Sequence, residues 1–298
     1  MQSTKTKEAN GGKVAVEAVP ETKAEVQPQV ESTEVVPVSA AVPTTTDRVG
    51  AVQFAEDAGA GLDNLGAGDF AVPFLSILQK GSPQVDETST KGKFIDGARQ
   101  GMLLNTVTMK LYDGKKGVVV IPCAYNKLAV EWKPDRGGLV GHHGISDQIV
   151  MKATRNEKNQ LVLPNSNLLI ETAYHYVLLV EDDGTVIPAV VSMASTQLKK
   201  SRRWNTTQDS IRMEGPNGSK FKPPSFSHMY KITTVPEAND SGSWFGFVIE
   251  NVGMVTDSYV YSEAKNFNKA VLKGLVKVSA PPLDPDDVQA KTSDEVPF

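Results

Sequence analysis

A single cysteine, Cys123, is all the thiol this 298-residue chain carries. That excludes an internal disulfide framework and any zinc site built on several cysteines, and it fits a reducing compartment. Set within V-V-V-I-P-C-A-Y, it reads as a small buried apolar residue. No apolar run reaches membrane-spanning length, and the N-terminus lacks the apolar core of a signal peptide. A soluble, non-exported protein with no membrane partner is expected. Candidate metal ligands are also scarce: His142 and His143 with Asp147 are the only cluster, unsupported by an H-x-x-x-H pair, a paired-carboxylate run, a phosphate-binding glycine loop or a nucleophile elbow. Adjacent histidines in a strand point to opposite faces, so a shared metal is awkward. No metal, no cofactor and no catalysis are expected, and a metal-dependent nuclease or other hydrolase is the enzymatic alternative.

Aromatic residues are absent from the first 46 positions, which are rich in Val, Ala, Glu, Thr and Pro, with Pro20, Pro28, Pro37 and Pro43. Such a segment cannot bury enough apolar surface to offset its ordering entropy. Residues 1–57 are therefore expected to form a disordered tail. Its lysines are offset by glutamates, which makes it a poor nucleic-acid arm. The composition changes at about residue 58, and Phe70, Phe74, Leu75, Ile77 and Leu78 supply the first apolar cluster able to join a core.

The middle of the chain reads as strands punctuated by turns. Asp113-Gly114 separates Met102–Tyr112 from Gly117–Pro122, and Asp183-Gly184 separates Leu168–Val180 from Val186–Met193, so two hairpins are expected. In Tyr125–Lys133, Leu128, Val130 and Trp132 alternate with Tyr125, Lys127, Glu131 and Lys133, the pattern of a half-buried strand with an outer face open to a ligand. The glycine-rich, polar run Asp135–Gln160 is expected to be a long surface loop with a short helix near Asp147–Thr154. Along the next strand Ile170, Thr172, Tyr174, Tyr176 and Leu178 share one face, against Glu171 and His175 on the other. Strands are also expected over Phe226–Val235 and Ser243–Val252, the latter with Phe245, Phe247 and Ile249 on one side and Trp244 on the other. Tyr259–Lys273 has helical spacing, with Tyr261, Ala264, Phe267 and Leu272 as its apolar stripe. Several strands with two or three helices indicate a mainly β domain with some α, antiparallel, over residues 58–275.

The formal charge is -4, so any surface for an anionic polymer must be a local patch. One exists. Residues 195–235 carry eight cations, Lys199, Lys200, Arg202, Arg203, Arg212, Lys220, Lys222 and Lys231, against Asp209 and Glu214, a local charge of +6. At its head, S-T-Q-L-K-K-S-R-R-W (Ser195–Trp204), if helical, places Lys200 and Trp204 on one face and Lys199 and Arg203 on the adjacent one. A solvated charged helix anchored by Trp204 is one reading. The other is a basic ridge ending in a flat ring, which single-stranded nucleic acid would use through phosphate neutralisation and base stacking. Under that second reading the binding residues are Lys199, Lys200, Arg202, Arg203, Trp204, Arg212, Lys220 and Lys222, with Tyr125, Lys127 and Trp244 from the strands.

Residues 276–298, rich in Pro and Asp, are expected to be a disordered acidic tail. Its last five residues, Asp294-Glu295-Val296-Pro297-Phe298, resemble the acidic tip of bacterial single-stranded DNA-binding proteins, with Val296 in place of the usual Ile. The terminal ring and carboxylate suit an apolar pocket with a basic rim. The resemblance implies that this tip recruits replication and repair enzymes and competes with DNA for the basic groove. The body is similar to a group of tailed-phage proteins sharing P-F-L-x-I-L-Q (Pro73–Gln79), I-P-C followed by E-W-x-P (Ile121–Pro134), and the Ser195–Trp204 run. Phage single-strand binders of similar kind carry an OB-fold barrel with insertions, so the resemblance implies a single elaborated OB-like antiparallel barrel.

The function expected is therefore single-stranded DNA binding in phage replication, recombination or repair, in the cytoplasm of an infected bacterium. Replication and repair proteins would be the partners, and a homo-oligomer is allowed. An annealing protein or a virion assembly protein are further alternatives.

Overall fold

The computed structural model describes residues 51–66, 69–88, 93–134, 138–240, 242–276 and 278. The acidic tip Asp294–Phe298 and most of both expected tails lie outside the described residues. Two compact units divide the chain after Ala60. The first contributes α1 (Ala51–Glu56), a short helix inside the stretch read as disordered. The second, Gly61–Phe298, holds all the strands and the remaining helices of the described residues.

Its architecture is mainly β with few helices, built on an antiparallel sheet that curls into an open half-barrel. Two long strands form the spine: β4 (Val118–Trp132) and β8 (Leu168–Val180) pair along their full lengths. The other edge of β4 is shared, first by β12 (His228–Asn239) at Val118–Val120, then by β5 (Leu139–Gly144) at Leu128–Trp132. β13 (Gly242–Met254) pairs with β12 at one end of the sheet. The far edge of β8 takes β9 (Val186–Ala194) and the short β7 (Leu161–Val162), to which β6 (Thr154–Arg155) is added. A second sheet joins β1 (Leu75–Ile77), β2 (Leu103–Asn105) and β3 (Leu111–Tyr112), and the hairpin β10 (Met213–Glu214) and β11 (Lys220–Phe221) stands by itself. The antiparallel expectation holds, while the closure of a barrel is replaced by an open path from β13 to β6.

β8 is almost continuously apolar because both of its faces are covered. Val177, Leu179 and Ala173 join a core with Leu75, Leu103, Ile232, Phe247 and Trp204. Tyr174, Tyr176 and Leu178 join another with Ile121, Val130, Trp132 and the helix α4 (Ser258–Leu272). Proline inside so central a strand removes a ladder donor. β4 answers Pro122 with a bulge: Pro122 lies opposite Val177 and Ala124 opposite Tyr176, leaving Cys123 as the extra residue. The carbonyl freed there accepts a hydrogen bond from Asn268 Nδ2 of α4 at 2.7 Å. Cys123 is fully buried, as expected, and burial pushes its thiol up to about 12.

Four expectations need correction. Asp113-Gly114 is no hairpin turn, because β3 pairs back onto β2 and the Asp-Gly step carries the chain between the two sheets. Gly114 is there for proximity, since a Cβ would collide with the Gly101 carbonyl and the Thr234 hydroxyl. Residues 139–144 of the supposed loop form the strand β5, and only Gln148–Met151 (α2) are helical. Phe70 is exposed and stays outside the first apolar cluster. Ala264 and Phe267 are buried in the stripe of α4 as expected, but its ends are Val260 and Val271, while Tyr261 and Leu272 are exposed, Leu272 by 75%. The Asp183-Gly184 hairpin between β8 and β9 is as expected.

Candidate nucleic-acid interface

The basic run forms the helix α3 (Gln197–Ser210), entered from β9 through Ser195 at φ 49°. Three of its residues are buried, Gln197, Ser201 and Trp204, the i, i+4, i+7 positions of one face. That face is held mainly by polar and stacking contacts. Gln197 Oε1 accepts the Phe247 N–H at 3.2 Å, at the outer edge of β13. The Ser201 hydroxyl is 2.8 Å from His175 Nε2. Trp204, 2% exposed, stacks on the His175 ring at 4.4 Å and meets the Tyr230 ring edge-on at 5.6 Å. Burial pulls His175 down from its ordinary value to about 3, so it sits in the core as a neutral imidazole. Trp204 therefore anchors α3 to the sheet and presents no face to a base, which resolves the two readings of this residue.

The opposite face carries Lys199, Arg202 and Arg203, all exposed. None is among the ion pairs of the described residues. The helix has no acidic residue in its first turn, so these cations stand toward the positive end of its macrodipole with no local anion to relieve them. That is an electrostatically costly arrangement, and one an external anion would relieve.

The remaining cations are engaged. Lys200 is ion-paired with Glu237 of β12. Lys222 pairs with Asp209, tying the β10–β11 hairpin to the end of α3. Arg212 donates to the Asp209 and Ile211 carbonyls, closing the C-terminus of that helix. Lys127 pairs with Glu171 across the β4–β8 ladder. Trp244 is half-buried, its Nε1 donating to Glu237 Oε2 at 2.9 Å. Lys220 is exposed on the hairpin.

Two rings remain open to solvent in this neighbourhood. Tyr125 is 45% exposed, with its ring 5.0 Å from that of His175, whose Nε2 lies 2.8 Å from the Ser201 hydroxyl of α3. Phe221 is 44% exposed, between Lys220 and Lys222. The sequence marks it, in K-F-K, as one of the aromatics interleaved with the cations of residues 195–235, although it was not among the binding residues expected there. The structure thus puts Lys199, Arg202 and Arg203 on the outer face of α3, joins Phe221 and Lys220 to its C-terminal end through the hairpin, turns Trp204 inward, and leaves Tyr125 on β4 against His175.

The histidine pair diverges along β5. His143 Nε2 lies 2.7 Å from Glu131 Oε2, whereas His142 Nε2 lies 3.3 Å from the Tyr174 hydroxyl. Burial alone would push the Glu131 carboxyl up, but hydrogen bonds from Asn167, His143 and Asn165 outweigh it and hold the carboxyl below the ordinary glutamate value. Burial, with the neighbouring His143, lowers His142. Among the described residues no group of three or more His, Cys, Asp or Glu could hold a metal ion. No helix among them is long and apolar enough to cross a membrane.

No curated protein and no solved structure matches the chain. A family model does, that of the Pam3 phage gp34-like protein, over residues 43–277. That span takes in the sheet, α3, the hairpin and α4, and the chain belongs to the Pam3 phage gp34-like family.

Proposed function

We propose that this phage-family protein binds single-stranded DNA along the outer face of α3 and the adjoining β10–β11 hairpin, and performs no catalysis. The observation that carries the reading is the stripe Lys199, Arg202 and Arg203, exposed and without a carboxylate partner among the described residues, in a chain of net charge -4. A positively charged track flanked by exposed rings suits a flexible polyanion whose bases can stack. Tyr125 and Phe221 are the rings so placed. The curled antiparallel sheet is compatible with an elaborated OB-like body, opened on one side. The acidic terminus Asp294–Phe298 has the chemistry to dock replication or repair enzymes, in the cytoplasm of an infected host. A homo-oligomer is compatible with this role.

The test is an electrophoretic mobility shift with labelled oligothymidylate and a matched duplex at several salt concentrations. Preference for the single strand is expected, with a log–log salt slope of about -2 for three phosphate contacts. Equal or stronger binding of duplex overturns the reading. Removal of Asp294–Phe298 is expected to abolish partner capture while leaving or tightening DNA binding.

A further inference from the structure

Between α3, β12 and β13 lies a small ionic cluster that the exposed basic stripe does not use. The ammonium of Lys200 meets Glu237 Oε1, and the other carboxylate oxygen, Oε2, accepts the indole N–H of Trp244 at 2.9 Å. Both members of the ion pair are partly open, with side-chain exposures of 24% and 28%. The pair sits over Gly246, where a Cβ would collide with both the Lys200 ammonium and the Glu237 carboxylate. The glycine leaves the room that the two side-chain ends occupy. One carboxylate here gathers one cation and one neutral donor, the donor set that would recognise a phosphate oxygen pair. Lys200 is also one residue from Lys199 and two from Arg202, at the border of the stripe.

We propose that Lys200 and Trp244 form an anion subsite for a phosphate group, and that Glu237 is its resident internal anion, exchanged for phosphate when a strand occupies α3. The proposal takes the identity of the strand from the single-stranded DNA reading and the subsite from geometry. Exchange costs one partly solvated ion pair and replaces it with another, so Glu237 weakens binding to the subsite and restricts it to ligands carrying a strong anion. Carboxylate-bearing or neutral ligands gain nothing by displacing it.

The test uses the full-length chain and its tryptophan fluorescence. Trp132 and Trp204 are buried, so Trp244 is the indole that responds to solvent and anions, and Trp244→Phe identifies its signal. Two probes are titrated, oligothymidylate and inorganic tripolyphosphate. Both are expected to change the Trp244 signal, and Glu237→Gln, which keeps an acceptor for the indole, is expected to tighten both by about threefold, the scale of one partly exposed ion pair. Lys200→Gln is expected to remove that gain. If tripolyphosphate gives the effect and oligothymidylate does not bind, the subsite stands and the DNA reading falls. If oligothymidylate binds but Trp244 is silent, or Glu237→Gln fails to tighten it, the subsite falls and the DNA reading stands. If neither probe binds, both fall.

Discussion

The two long helices of the domain solve the same problem in opposite ways. α4 buries Val260, Ala264 and Phe267 against the sheet and is capped by Asp257, whose carboxylate accepts the Val260 N–H at 2.9 Å. α3 buries a glutamine, a serine and a tryptophan, its N-cap Thr196 makes no side-chain bond, and cations crowd its first two turns. α4 obeys the capping and amphipathic rules for a stable helix. α3 breaks several of them, and departures of that kind gather where function rather than stability has chosen the residues. The contrast also assigns roles within α3: its inner face holds the helix in place so that its outer face can remain charged.

The largest expected effect tests the inner face. Trp204→Ala should lower unfolding free energy by about 3–5 kcal/mol, as Phe267→Ala should in α4. Denaturant melts of both variants check this. A Trp204→Ala protein that melts like the parent while losing oligonucleotide affinity would reverse the assignment of the two faces.

A somewhat smaller effect follows from His175. Its folded value of about 3 lies below the ordinary value of about 6.5. The unfolded chain therefore takes up a proton there that the folded chain refuses as pH falls through 6.5. The sign is that His175 leaves stability intact above about pH 6.5 and removes it as pH drops from there toward 3, by at most about 1.4 kcal/mol per pH unit. Melts of His175→Gln across that window should show a flatter fall. Ser201→Ala, which leaves the buried ring nitrogen without its partner, should cost about 1–3 kcal/mol at neutral pH. α4 has no buried titratable group on its inner face, so the equivalent Ala264→Ser should show no such pH dependence.

The caps sharpen the comparison further. Asp257→Ala should cost about 1 kcal/mol because a real N-cap bond is lost. Thr196→Ala should change the melt by a few tenths of a kcal/mol at most, since its side chain caps nothing.

How much of this could be read from the sequence depends on how local each signal is. The β8–β9 hairpin and the apolar faces of β4 and β13 were legible because alternation and an Asp-Gly turn act within a few residues of themselves, but the β4 face read as open to a ligand is buried at Ala129 and Glu131. The role of Trp204 was not legible, because its partner His175 lies far off in sequence, on β8, and the face of α3 that carries Trp204 reads as polar. The i, i+4, i+7 spacing of Gln197, Ser201 and Trp204 was the available clue. The engagement of Lys200, Lys127 and Lys222 was equally hidden, since Glu237, Glu171 and Asp209 are brought to them by the sheet and by the hairpin. β5 was missed because glycine and histidine dilute its apolar pattern, and its pairing with β4 supplies what the pattern lacks. In α4 the middle of the stripe, Ala264 and Phe267, was legible, but neighbouring residues at its ends differ by about 100° around the helix, and only the packed sheet decides between Val260 and Tyr261.

The smallest effect, and the one closest to function, concerns the outer face one cation at a time. Replacing Lys199, Arg202 or Arg203 singly with Gln leaves the inner contacts untouched, so melts should not move beyond about 0.5 kcal/mol. Each should instead flatten the log–log salt slope for oligothymidylate by about 0.7, the contribution of one phosphate contact on a single strand. Lys265 and Lys269 are exposed on a different helix, α4, outside the proposed track, so their replacement should leave the slope unchanged. If Lys265→Gln alters the slope as much as Arg202→Gln does, the charge on α3 is only part of a diffuse field over the whole domain. If the three α3 variants each shift it and the α4 variants do not, the strand follows α3.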